Sequence, residues 1–288
     1  MPMLAERFEA VRKSVPLVHN ITNYVTVHDV ANVIIACGGS PIMSDEPDDV
    51  EDITSICGAL NINIGTLNSQ SIRAMVLASA RAEQLGHPIV LDPVGAGASK
   101  LRTSTASTLL AQRKISVVRG NMSEIKALAA GTSTTRGVDV AADDVVTTSN
   151  LDEMVRFVRQ FSAASGSIVA ASGVIDLVSD AEHTYVISNG HRLMGQITGS
   201  GCMLSGVVGA YIAANPDNML EAVASAFCMY GLAGKFAADR ALEEGVGNAT
   251  YSNYLIDEVF KMTADKVEQG AIYDLLSVGP CRSWQRRI

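Results

Sequence analysis

A chain of 288 residues with 48% hydrophobic side chains is long enough for one large α/β domain or two smaller ones, with a sizeable core. The formal charge of −8 argues against nucleic-acid and anionic-membrane binding. Five cysteines, an odd count with no CxxC pair, argue for reduced thiols in a cytoplasm and against a disulfide framework or structural zinc.

The chain opens on a charged, amphipathic segment, Met1 to Lys13, which is not a signal peptide. Pro16 to Thr26 reads as a polar loop, and Ser40 to Asp45 as a strand running into a polar turn. Strands then alternate with helices. Ala59 to Ile64 is a strand and Ser69 to Leu85 a helix. Pro88 to Leu91 is a strand and Thr105 to Gln112 a helix. Ile115 to Val118 is a strand and Ser123 to Ala130 a helix. Leu151 to Ala164 is helical and Ser167 to Ala171 extended, and Asp176 to Val178 with Thr184 to Ile187 reads as an antiparallel pair. Beyond Gly195 the chain is largely helical: Cys202 to Ala214, Met219 to Glu243 and Ser252 to Val267. The apolar run Met203 to Ala214 is shorter than the ~20 residues of a membrane span and reads as a buried helix. No repeat or low-complexity linker divides residues 1–288, so one domain is expected.

This alternation implies an α/β fold with a mostly parallel central sheet flanked by helices on both faces. Ligands in such folds sit beyond the C-terminal ends of the strands. Gly65-Thr66, Asp92 to Gly97, Arg119-Gly120-Asn121 and Ser172-Gly173 all fall at those ends.

The most informative segment is Thr198-Gly199-Ser200-Gly201-Cys202 before a helix of small residues. Two glycines one residue apart let a ligand approach the backbone, and the first-turn N–H groups of the helix then point at it. Phosphate is the natural guest, with the Cys202 thiol beside it; the alternative is an ordinary turn with a small buried cysteine. No Walker A motif and no dinucleotide fingerprint is present. Asp92 ends one strand and Glu124 follows another, and two carboxylates suffice for magnesium when phosphates and water complete the shell. Asp92 could equally cap a turn, and Glu124 could simply favour a helix start. Arg119 has the fork geometry for phosphate or for an ion pair with Glu124. Lys100, Lys114 and Lys126 read as solvated charges. Asn23 and Met43 suit the lining of a pocket for a small neutral heterocycle, or else a turn and the core. His19 and His28 have no metal-ligand spacing.

His19-Asn20-Ile21-Thr22-Asn23, Gly39 to Ser44, Asn63-Ile64-Gly65-Thr66, Leu91 to Ala96, Arg119 to Ile125 and Thr198 to Cys202, in that order, resemble hydroxyethylthiazole kinase, of the ribokinase-like superfamily. The resemblance spans Pro16 to about Glu268. It implies a ribokinase-like fold and transfer of the ATP γ-phosphoryl group to the alcohol of 4-methyl-5-(2-hydroxyethyl)thiazole, in thiamine salvage. By the same resemblance Met43, Asn23, Gly65, Thr66 and Gly199 look like thiazole-side residues, and Arg119 and Ser172 like ATP contacts. Asp92 and Glu124 look like the magnesium side, Gly199, Ser200 and Gly201 like the anion hole, and Cys202 like the residue in the general-base slot, where relatives carry Asp. A homotrimer with active sites between subunits is also implied. A helix N-terminus favours thiolate and a nearby phosphate opposes it, so Cys202 is read as a positioning residue and candidate base. The last stretch, 273–288, departs from the family and reads as a flexible or variant tail. A dehydratase of the same fold, a phosphomethylpyrimidine kinase, a cysteine hydrolase and a nucleotide sensor are the competing readings.

Overall fold

The computed structural model describes residues 3–131 and 145–277. The order is α1 (Met3–Ser14), β1 (Leu17–Ile21), α2 (Val27–Cys37), β2 (Ser40–Met43), α3 (Val50–Ile56), β3 (Ala59–Asn63), α4 (Ser69–Leu85), β4 (Ile89–Asp92), α5 (Lys100–Gln112), β5 (Val117–Asn121) and α6 (Met122–Gly131). It continues with α7 (Leu151–Ser165), β6 (Ile168–Ser172), β7 (Asp176–Ser179), β8 (His183–Ile187), α8 (Ser200–Ala214), α9 (Met219–Glu244), α10 (Asn248–Phe260), α11 (Ala264–Gly270) and β9 (Tyr273–Ser277). Among the described residues the strands form a sheet in the order β2-β1-β3-β4-β5-β6-β7-β8-β9. The pairs from β2 to β6 are parallel, and those from β6 to β9 antiparallel.

Strands β3 and β4 are buried along their whole length, as helices on both faces demand. Successive side chains divide between two cores. Val90, Val117 and Ala170 join the core under α1, α2 and α8 to α11, while Leu91, Val118 and Val169 join the core under α4 to α7. In α8 every residue from Cys202 to Ile212 is buried, and its glycines let it lie close: a Cβ on Gly206 would stand 2.9 Å from Val30 Cγ1. The buried-helix reading of this run holds, and among the described residues no helix is long and apolar enough to cross a membrane.

The structure departs from the sequence reading in five places. The first half of the Pro16–Thr26 segment is strand β1, with Asn20 buried and its amide satisfied by Val18 O and Asn61. Helix α5 starts at Lys100, because Ser99 Oγ accepts the Arg102 N–H and caps it. The helix expected over Ser252–Val267 is two, the second started by a Thr263 cap on Lys266 N. Lys126 is buried, not solvated. Tyr273–Ser277, read as the start of a tail, is strand β9, paired with β8 in register from His183↔Ser277 to Ile187↔Tyr273. Arg159 Nη2 holds it by donating to Leu276 O at 2.6 Å. Residues 278–288 lie outside the described residues.

Candidate active site

Five parallel strands deliver Ile21, Asn63, Asp92, Asn121 and Ser172 to one edge of the sheet. Two cavities open along that edge. The larger, about 800 Å3, is lined by Asp92, Arg119, Glu124, Ser172 and the turn Gly199 to Cys202, and further out by Val174, Met194 and Phe227. The smaller, about 210 Å3, is lined by Met43, Thr66, Asn63, Thr22 and Tyr24 among others.

The turn into α8 is open to the larger cavity. Gly199 takes φ +79, and a Cβ there would lie 2.4 Å from Thr26 Cγ2, so only glycine fits. Among the described residues no acceptor takes the backbone N–H groups of Ser200, Gly201 or Cys202. Tyr230 anchors the turn from α9, donating its hydroxyl to Ser200 O at 2.9 Å. The Arg119 guanidinium lies against the glycine: a Cβ on Gly201 would stand 2.5 Å from Nη1. Three bare amides, a helix N-terminus and a cation therefore meet at one wall, an arrangement suited to holding an anion. Arg119 is 6% exposed; it donates Nη2 to Ser172 Oγ at 2.7 Å and lies 3.6 Å from Asp92. It thus pairs with Asp92, not with Glu124 as one sequence reading had it.

Asp92 is fully buried. Its Oδ2 accepts from Asn63 Nδ2 at 2.9 Å and Ser205 Oγ at 2.7 Å, whereas Oδ1 has no partner. Burial pushes its carboxyl up to about 6, against the pull of Arg119, Ser205 and Asn63 and with a further push from Glu124. Glu124 closes a capping box: Asn121 N donates to Oε2 and Glu124 N to Asn121 Oδ1, each within 2.9 Å. Its Oε1 also takes the Gly95 N–H at 2.8 Å. The bland and the functional readings of Glu124 are thus compatible, since it caps a helix and lines the cavity.

At Cys202 the balance of effects favours the thiol. Burial and the Asp92 charge push its thiol up, and hydrogen bonding from Asn63 and Asn23 and the Arg119 charge only partly offset them. The group at the helix start is a thiol at neutral pH. Asn23 Nδ2 donates to its sulfur at 3.2 Å and to Asn63 Oδ1 at 3.1 Å, while Asn23 Oδ1 accepts both the N–H and the hydroxyl of Thr26. The Asn23 side chain has its hydrogen-bonding capacity taken up internally. It stands between the cavities, joining Cys202 of one to Asn63 of the other. Gly65 donates its N–H to Asn63 Oδ1, and Asn63 lines the smaller cavity. Met43 and Thr66 line that cavity, and Gly199 lines the larger one.

A model of the Hydroxyethylthiazole kinase family matches residues 8–265. The chain belongs to the hydroxyethylthiazole kinase family. It is 50% identical over 272 residues to a hydroxyethylthiazole kinase of Clostridium acetobutylicum, an alignment covering 94% of this chain and 99% of that one. A solved hydroxyethylthiazole kinase structure from Pyrococcus horikoshii superposes with a TM-score of 0.85 at 34% identity, over 96% of this chain and 100% of that one. A ribokinase-like superfamily protein from Enterococcus faecalis shares the fold at 14% identity and TM-score 0.61, over 91% of this chain and 94% of that one. The expected fold is therefore the one found, and the chain is a hydroxyethylthiazole kinase-type enzyme.

Three residues of this candidate site escaped the sequence reading. Asn63 sat inside a quoted motif but in a strand, where register places it beside Asp92. Ser205 lies in the first turns of α8, and only the packing of α8 on the sheet brings its hydroxyl to Asp92. Asp176 lines the larger cavity at the start of β7 and accepts the Gly173 N–H at 2.8 Å; burial pushes its carboxyl up to about 7. An acid opening a strand beside a Ser-Gly turn was the available signal for it.

Proposed function

We propose that residues 1–288 form one kinase domain that transfers the γ-phosphoryl group of ATP to the primary alcohol of 4-methyl-5-(2-hydroxyethyl)thiazole, a step of thiamine biosynthesis or salvage. One observation carries the reading. The unpartnered amides of Ser200 to Cys202, the Arg119 guanidinium and two acids converge on a single cavity of nucleotide size. Phosphoryl transfer needs mainly positioning and charge neutralisation, and this wall supplies both.

In this reading ATP fills the larger cavity with its phosphates on Gly199, Ser200 and Gly201. Arg119 grips the phosphate oxygens, and Ser172 orients its fork. The residues fit magnesium as a two-carboxylate site: Asp92 Oδ1 is a buried acceptor without a partner, and Glu124 is the second acid on the same cavity. Bound magnesium would neutralise charge on the transferred group. The thiazole fills the smaller cavity against Met43 and Thr66. The polar lining there is mostly neutral amide and hydroxyl, with Asp45 its one acid and no cation among the described residues, which suits an uncharged heterocycle. Cys202 positions the alcohol, its own orientation set by Asn23. A protonated thiol suits neither a strong base nor the nucleophile of a cysteine hydrolase.

The assembly belongs to the same proposal: a homotrimer with active sites between subunits. Tyr24, 77% exposed on the rim of the smaller cavity, and Val25, 57% exposed beside it, support a partner there. The cytoplasm is the proposed location, in keeping with four free, buried cysteines among the described residues.

The test is a coupled ADP-release assay over hydroxyethylthiazole, aminopyrimidine alcohols and sugars, with and without magnesium. Magnesium-dependent turnover fastest on hydroxyethylthiazole is expected. Preference for a pyrimidine alcohol or a sugar would overturn the substrate.

A further inference from the structure

Arg102 occupies the first turn of α5, where the helix dipole disfavours a cation and where α5 carries no acid. A residue that breaks this local rule needs another reason to be there. Its guanidinium supplies one. Nη2 donates to Gly65 O at 2.7 Å and Nη1 to Val94 O at 3.0 Å. Gly65 belongs to the turn after β3, which leads to Thr66 and the smaller cavity. Val94 belongs to the turn after β4, two residues beyond Asp92. Gly95 takes φ +71 and lies flat on the guanidinium: a Cβ there would stand 2.5 Å from Nη1. The Gly95 N–H in turn rests on Glu124 Oε1 at 2.8 Å.

We propose that Arg102 is a positioning residue for the kinase reaction, a rigid fork that sets the distance between the acceptor turn at Gly65–Thr66 and the donor-side turn at Asp92–Gly95. The inference rests on the kinase reading given above. Phosphoryl transfer rewards a fixed separation of the alcohol and the γ-phosphorus, and misplacement of about 1 Å costs on the order of 10²-fold. The segments at the ends of β3, β4 and β5 are joined in series, Gly65 to Arg102 to the Val94–Gly95 peptide to Glu124 to Asn121. Only a planar fork serves both carbonyls; the ammonium of lysine is a single point.

The experiment is steady-state kinetics of Arg102→Ala and Arg102→Lys, with Arg113→Ala as a control from the C-terminal end of the same helix. In Arg102→Ala, kcat/KM for the thiazole alcohol should fall by about 10²-fold, through a higher alcohol KM together with a lower kcat, while the ATP KM stays within about threefold. Millimolar guanidinium should restore part of that loss in Arg102→Ala and do nothing for Arg113→Ala. Arg102→Lys should recover less than about a tenth of the loss. Wild-type kinetics in Arg102→Ala overturn the proposal. So does a loss matched by Arg113→Ala, or full recovery in Arg102→Lys. If the alanine variant does not fold, Arg102→Lys decides, since it keeps the charge and the stem. A wild-type enzyme that ignores the thiazole alcohol and phosphorylates another sinks the substrate reading alone, and the same ratios are then read on that alcohol.

Discussion

The two cavities on the sheet edge are made of different materials. The larger is walled by formal charge and unpaired backbone: Arg119, Asp92, Glu124 and the amides of Ser200 to Cys202. The smaller is walled mostly by neutral amides, hydroxyls and the sulfurs of Met43 and Met75, with Asp45 as its one charged residue among those described. Binding to the first is governed by electrostatics and exact donor placement, and binding to the second by shape and a few polar contacts. A change in the larger should therefore act on kcat, and a change in the smaller on the acceptor KM.

The largest effect is expected from Arg119→Ala. It removes the cation beside the glycine turn and leaves Asp92 buried with one fewer partner. Single-turnover kcat should drop by about 10³-fold, the scale of losing a charged donor to a transferring phosphoryl group. A loss under tenfold would mean that the anion wall does not carry the chemistry.

Met43→Ala is the matching change on the other side. It trims the wall of the smaller cavity and touches no charge. The acceptor KM should rise by about tenfold with kcat nearly kept, the scale of a lost apolar side chain. If kcat falls and KM does not move, Met43 serves the transition state and the division of labour between the cavities fails.

The contrast also explains what the sequence showed of the site. The charged wall was legible because a parallel sheet puts strand ends in one place, which Asp92, Arg119 and Ser172 mark, and because Gly199 to Cys202 marks a helix start. The amide network was not. Asn63 meets Asp92 across 29 residues and Ser205 meets it across 113, and no local pattern announces those bonds. The internal bonds of Asn23 were equally hidden, because a buried amide and a lining amide have the same sequence signature. Arg102 drew no notice in the sequence, since its carbonyl partners carry no side-chain signal. Of the fold, the buried helices and central strands were plain from apolar runs, whereas β9 has four of its five residues exposed and little hydrophobic signal to read.

Cys202 sits on the boundary, lining the larger cavity while tied through Asn23 to the smaller. With its thiol pushed up, it is protonated at working pH. Cys202→Ser should accordingly keep kcat within about tenfold of wild type, because a hydroxyl holds the same hydrogen bond with Asn23 and no thiolate is lost. Cys202→Asp should stay active as well. Collapse of the serine variant to background in the same assay would make sulfur chemistry essential and reinstate the base.

The smallest effect concerns stability, at the far end of the larger cavity. The Asp176 carboxyl is raised from its ordinary 3.8 to about 7, first by burial, with the Gly173 N–H and Arg119 pulling the other way. Between those values the folded protein holds a proton that the unfolded chain has released. Stability therefore falls as pH rises from about 4 to about 7 and is flat above, the reverse of a salt-bridged acid. Asn at this position cannot ionise but keeps an oxygen for the Gly173 N–H. Asp176→Asn should match wild type in urea unfolding near pH 4 and gain about 1–2 kcal/mol by pH 8, a figure discounted for the solvent the side chain still meets. A gap between the two proteins that is the same at both pH values would show that the carboxyl titrates normally, and that this end of the cavity is as wet as its mouth.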